Sequence, residues 1–206
     1  MADPQGQPAV TRIAQLELKD EQRLVKEGYE LLDEKRIRLV AEIRAQLEQL
    51  RRWEREVLKA DASAGDALKA ALAVHGLEEL CAYPPLSAAQ DDLRLTRVRL
   101  FGLELIEAHM RTDAAPRTVQ PVHPSPEAEA CARGYRAVLE PLVNCAVHSL
   151  NVRRLLREFT RTERRARAIE NVLLPEIERN LKRVDEQLEL IDQEELARVH
   201  RWHPAD

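Results

Sequence analysis

The chain has 206 residues, of which 33% are charged, 44% hydrophobic and only 3% aromatic. Aromatic side chains supply much of the buried area of a broad globular core, so their scarcity excludes one. Abundant Leu, Ala, Glu and Arg fit long helices packed along a narrow seam. With 32 Lys and Arg against 36 Asp and Glu, the formal net charge of −4 excludes a general electrostatic footprint for nucleic acid.

Cys81, Cys131 and Cys145 form no C-x-x-C pair and are odd in number, so reduced thiols are expected rather than a disulfide framework. No apolar run approaches the roughly 20 residues that span a bilayer, so no direct membrane insertion is expected. The opening MADPQGQPAV has neither the basic flank nor the apolar segment of a signal peptide. These features predict a protein that is cytosolic or held in place by other proteins.

Residues 1–10 read as a disordered N-terminus, and residues 11–60 as a long helix. Thr11 is placed to cap it, since a hydroxyl there accepts an orphan backbone N–H. Leu18, Val25, Leu32 and Leu39 recur every seven residues, after which the seam shifts to Ile43, Leu47, Leu50 and Val57. That four-residue step is a stutter in a coiled coil. DASAGD and CAYPPLS then break the pattern, and residues 61–126 read as a small central head that includes the proline-rich APRTVQPVHPSP.

Within the head, period-two alternation on both sides of Phe101-Gly102 predicts a β-hairpin near 93–109. Ile106 departs from the alternation and leaves a helical reading open. Residues 127–203 read as a second long helix, with Pro141 marking a local bend or restart. Its clean heptad seam is Ile177, Leu181, Val184, Leu188 and Ile191. The predicted fold is therefore dominated by α-helix: a long antiparallel two-helix coiled coil with a small central head.

The signatures of catalysis are missing. There is no phosphate-cradling G-x-x-x-x-G-K-[ST] or G-x-G-x-x-G, and no H-E-x-x-H. The six histidines are scattered and read as surface or structural groups. Cys145 and His148 lie one helical turn apart, but lack a third positioned group and read as a core thiol beside a packed imidazole. No catalytic residue, metal site or cofactor is expected.

Between Arg153 and Arg167 there are seven arginines, opposed only by Glu158 and Glu163. Arg161, Arg164, Arg165 and Arg167 are candidates for binding an acidic partner surface; the alternative is a solvated helix face with intrahelical pairs. Pro175 sits inside a helical pattern, where it removes a donor to the Asn171 carbonyl, clashes with it, and is expected to push Leu174 out of helical geometry.

RTERRARAIENVLLPEIERNLKRVDEQLE resembles the C-terminal helix of the D-subunit family of V-type (archaeal/vacuolar-type) rotary ATPases. Thr162, Arg164, Arg165, Ala168, Ile169, Glu170 and Pro175 follow that family's pattern in order. EGYELLDEKRIRL is similar to its N-terminal pattern through Gly28, Leu31, Leu32, Lys35, Arg36 and Leu39, and LFGLEL to its central hairpin. Arg167 and Ile37 depart from the usual residues. The resemblance implies a non-catalytic central rotor shaft on the cytoplasmic side of a membrane. It would carry torque between a hexamer of catalytic A and non-catalytic B subunits and an ion-translocating ring. An F subunit and a funnel-like subunit above the ring would be its other partners. On that reading, Pro175 would kink the shaft off its axis. A coiled-coil adaptor or export-apparatus stalk without a rotary role is the alternative.

Overall fold

A computed structural model describes residues 10–84, 92–111 and 125–202. In chain order these form α1 (Arg12–Ala82), β1 (Asp92–Leu100), β2 (Leu103–Arg111), α2 (Pro126–Ala168), a π-helical turn (Ile169–Leu173) and α3 (Leu174–Trp202). Helix dominates, with one antiparallel two-stranded sheet, as the heptads and the alternation predict. The expected disordered N-terminus, Val10 apart, and nearly all of the proline-rich connector lie outside the described residues. The chain divides into two compact units.

The first unit joins the residues up to Arg38 with those from Phe159 onward. The Thr11 hydroxyl accepts the Ala14 N–H at 3.1 Å, capping the start of α1. Polar pairs then mark the helix direction. Arg12 meets Asp192 at 3.0 Å, Gln15 donates to Asp185 at 2.5 Å, and Arg36 donates to Glu163 at 2.8 Å. Each step forward along α1 is a step back along its partner, so the pairing is antiparallel.

Leu18, Ala166, Ile177 and Val184 are buried in this unit, with Leu32, Leu181 and Leu188 half-buried. Ile191, expected in the seam, is 42% exposed. The reason is end fraying: α1 begins at Arg12, which already pairs with Asp192, so Ile191 has only a first helical turn beside it.

The second unit runs from Leu39 to Glu158. Leu39, Val147, Val152 and Leu155 are buried, and Ile43, Leu47 and Leu50 are half-buried. Here α1 continues well past the expected end near residue 60. DASAGD contains no proline, and its alanines are good helix formers. Ala64 and Ala71, a heptad apart, are fully buried, so the leucine seam gives way to an alanine seam rather than stopping. Small side chains let the backbones come close: a Cβ added to Gly134 would lie 3.2 Å from the Ala64 Cα. The real interruption comes at Gly76, whose φ of 68° leaves helical geometry.

α2 starts one residue earlier than expected. Ser125 accepts the Ala128 N–H at 3.2 Å, with Pro126 in the first turn, where its missing donor costs nothing. Pro141 is buried, and the helix neither ends nor restarts there.

The β-hairpin spans slightly more than 93–109. Its register runs unbroken from Asp92↔Arg111 to Leu100↔Leu103. Phe101 (φ 51°) and Gly102 (φ 80°) make the two-residue turn, and two positive φ values are what a type I′ hairpin turn requires. Leu105 is buried. Ile106, which departs from the sequence alternation, uses its main chain: its N–H donates to Asn151 Oδ1 at 2.9 Å, and its carbonyl accepts from Asn151 Nδ2 at 2.8 Å.

Candidate partner interface

In the first unit, Arg161, Arg164 and Arg165 are exposed at three- and four-residue spacing, so they share one face of α2. Among the described residues they make no hydrogen bond or ion pair. Arg167 is different. Its Nε donates to Glu163 at 2.9 Å, and Glu163 also accepts from Arg36, which reaches Asp33 at 2.8 Å. Burial pushes the Glu163 carboxyl up, but hydrogen bonds from Arg36 and then Arg167 outweigh it and hold it below the usual carboxylate range. The hydrogen bond to Glu163 likewise raises the Arg36 guanidinium. Arg167 therefore braces Glu163 from within its own helix while its side chain stays exposed, and the other three arginines point their charge at solvent.

Two turns further on, the chain meets Pro175 with a π turn rather than a break. The Leu174 N–H donates to the Ile169 carbonyl, five residues back. The widened turn relieves the ring clash that an α-helix would impose. Leu174 consequently keeps φ −60° and ψ −48°, so the expected departure from helical geometry does not occur.

The π turn also resets the seam. From the buried Thr162, a strict seven-residue repeat in an uninterrupted helix would lead through Ile169 to Glu176. The extra residue of the π turn brings buried Ile177 there instead. No residue of the turn is buried, and Val172 is 60% exposed. The basic face is thus followed by an exposed apolar step, both within the stretch that resembles the rotary ATPase family.

The second unit offers a different surface. Along α2, Tyr135, Leu139, Leu142, Leu150 and Leu156 are all exposed large apolar residues. Their helical spacing makes a stripe suited to another helix or an apolar groove. Nearby, a cleft of about 380 Å³ is lined by Glu42, Gln46, Glu107, His109, His148 and Asn151, among others.

Among its described lining residues the cleft has no nucleophile with a base to activate it. His148 Nδ1 lies 2.7 Å from Gln46 Oε1, and the Gln46 amide nitrogen donates to Glu42 at 2.8 Å. That chain fixes the proton on Nδ1, and burial lowers the His148 pKa, so the imidazole is neutral. Burial, and then the charge of Glu54, push the Cys145 thiol up, away from the reactive thiolate. Among the described residues no group of His, Cys, Asp or Glu could hold a metal ion, and no helix is long and apolar enough to cross a membrane.

Periodicity and motifs do not single out Asn151, Gln46 or Gly134. Asn151 leaves a trace: it is a lone amide between Leu150 and Val152, one step from the buried Val147 and Leu155 in the seam periodicity. Nothing in the sequence distinguishes Gln46 or Gly134, because their roles come from what stands opposite.

A family model described as that of the ATP synthase D subunit matches residues 14–203. The D subunit of the A-type ATP synthase of Thermococcus sibiricus is 27% identical over 194 residues, covering 93% of this chain and 91% of that one. The D subunit of the V-type ATP synthase of Thermotoga neapolitana is 25% identical, over 94% and 95% of the two chains. That of Anaeromyxobacter dehalogenans is 28% identical over 202 residues, covering 95% and 97%. With nearly its whole length matched by the family model, the chain belongs to the ATP synthase D-subunit family.

Proposed function

We propose that this chain is the central rotor shaft of a V/A-type ATPase or ATP synthase. It transmits torque between nucleotide chemistry in a hexamer of A and B subunits and ion translocation at a membrane ring, and it catalyses nothing itself. The observation that carries this reading is the family match over residues 14–203. The antiparallel helix pairs and the exposed faces support it, because a torque-bearing part needs stiff elements and surfaces for neighbours.

The basic face of Arg161, Arg164 and Arg165 would engage acidic surface of the hexamer. The exposed apolar residues of the first unit, among them Leu16, Leu24 and Leu31, would meet its apolar lining. The α2 stripe from Tyr135 to Leu156 would hold the F subunit, and the funnel-like subunit would bind elsewhere on the chain. The protein would then sit peripherally on the cytoplasmic side of the membrane. Pro175 and its π turn would give the shaft an asymmetric region against which the catalytic sites differ.

Reconstitution tests this directly. Added to an A–B hexamer, the chain should raise ATP turnover. Replacing Arg161, Arg164 and Arg165 together by Glu should weaken binding by about tenfold or more, equivalent to about 1.4 kcal/mol or more. Charge loss should act through affinity and become less visible at high salt. Robust hydrolysis by the chain alone, or no effect on the hexamer, would overturn the reading.

A further inference from the structure

The two edges of the hairpin are treated differently. In a hairpin closed by a two-residue turn, Leu100 and Leu103 form a hydrogen-bonded pair, and the pairs alternate from there. Glu104, Ile106 and Ala108 therefore turn main-chain groups away from β1. That edge of β2 is partly capped by side chains: Asn151 occupies both main-chain groups of Ile106, and Arg154 donates to the Glu104 carbonyl at 2.6 Å.

By the same alternation, Leu93, Leu95, Arg97 and Arg99 turn their N–H and C=O groups outward from β1. Among the described residues the sheet has two strands, and nothing hydrogen-bonds to these groups. The side chains stand clear as well: Leu95 is 58% exposed, and the side chains of Arg97 and Arg99 are 76% and 81% exposed.

An open strand edge is a template for pairing, and proteins guard it with a proline, a bulge, a cover or charged side chains. Among the described residues no proline, bulge or cover guards Leu93 to Leu100, where the register is continuous; charge alone does, and it is of one sign. What the edge carries is chemistry of one kind. Arg97 and Arg99 share a single carboxylate, Glu104, at 3.8 and 3.6 Å, which leaves positive charge unanswered. Leu93 and Leu95 lie next to them on the same side of the strand.

We propose that the outer edge of β1 is a docking site for an extended, acidic segment of a partner protein, which adds to the hairpin as a third strand. Main-chain pairing supplies the affinity, and the alternate side chains set the preference. Carboxylates are wanted beside Arg97 and Arg99, and apolar residues beside Leu93 and Leu95. The inference does not depend on the rotor reading.

The test uses the full chain and a synthetic heptapeptide alternating Glu and Val, with a Lys and Val counterpart as control. Hydrogen exchange is read amide by amide. The acidic peptide should slow exchange of the Leu95 and Arg97 amides by about tenfold or more, with a salt-sensitive affinity, while the basic peptide should not. Leu95→Pro removes an outward donor and leaves the ladder to β2 untouched. It should abolish the protection while the Val98 and Leu105 amides stay protected, which shows that the hairpin is still folded. Arg97→Glu combined with Arg99→Glu should reverse the peptide preference. Equal binding of both peptides, protection confined to helices or to β2, or no protection at about millimolar peptide would overturn the proposal. The arginines would then be read as a guard against pairing.

Discussion

His148 is neutral in the folded chain because burial disfavours its charged form. In the unfolded chain it takes up a proton as the pH falls through about 6.5. The folded pKa is depressed, so the unfolded state binds more protons in the window below that value, and stability falls there with falling pH until the folded pKa is passed. His148→Gln retains an amide donor for Gln46 and cannot titrate. Melting the parent and the variant between about pH 7.5 and about pH 5 should therefore show the parent losing stability relative to the variant; parallel curves would contradict the assignment. Glu163 has the opposite origin and the same direction. Its carboxyl is held low by Arg36 and Arg167, so its contribution is present above the ordinary carboxylate range and is lost as the pH falls through its folded value.

Two glycines show how packing decides the effect of an added side chain. Gly134 faces the Ala64 backbone at 3.2 Å from a would-be Cβ, whereas Gly65 has nothing within 4 Å. Gly134→Leu should overpack the helix contact and destabilise the protein by about 1–3 kcal/mol. Gly65→Ala should stabilise it by about 0.5–1 kcal/mol through the lost flexibility of glycine in a helix. Chemical denaturation measures both, and equal effects would mean that the helices do not approach at Gly134.

At the scale of elements, the sequence is most informative where one face repeats. The two helices, the hairpin and the buried Leu39, Ile177 and Val184 follow from periodicity alone. The end of α1 does not, because an alanine seam looks like the end of a leucine one, and DASAGD reads as a turn until Ala64 is seen packed. Gly76, the true interruption, carries no signal beyond being a glycine.

Pro175 is legible as an irregularity but not in its form. A proline predicts a kink; a π turn that shifts the seam by one residue is a matter of what register the opposite helix demands. Pro175→Ala should therefore raise the melting temperature slightly yet leave the π turn in place. Deleting Val172 in that background should produce a regular α-helix with Ile177 still buried. Amide exchange and a crystal structure of the variants would check this. A regular helix in Pro175→Ala alone would show that the proline, not the register, makes the turn.

For the whole molecule, the family is readable from ordered matches such as Thr162, Arg164, Arg165 and Pro175, and the match over residues 14–203 shows it. The partner surfaces are only half legible. The arginine cluster is visible in the sequence, but which of its members are free to meet a partner depends on Glu163 reaching Arg167 and Arg36. The asymmetric capping of the hairpin depends on Asn151, which only the fold brings to Ile106.

A rotor shaft, the role proposed for this chain, must turn. The most direct measurement attaches a fluorescent actin filament or a bead to the chain, immobilises the reassembled A–B hexamer, and records the probe by microscopy while ATP is hydrolysed. The expected result is unidirectional rotation that requires ATP and stops when nucleotide is removed. A probe that stays bound and stationary while the same immobilised complexes hydrolyse ATP would contradict it.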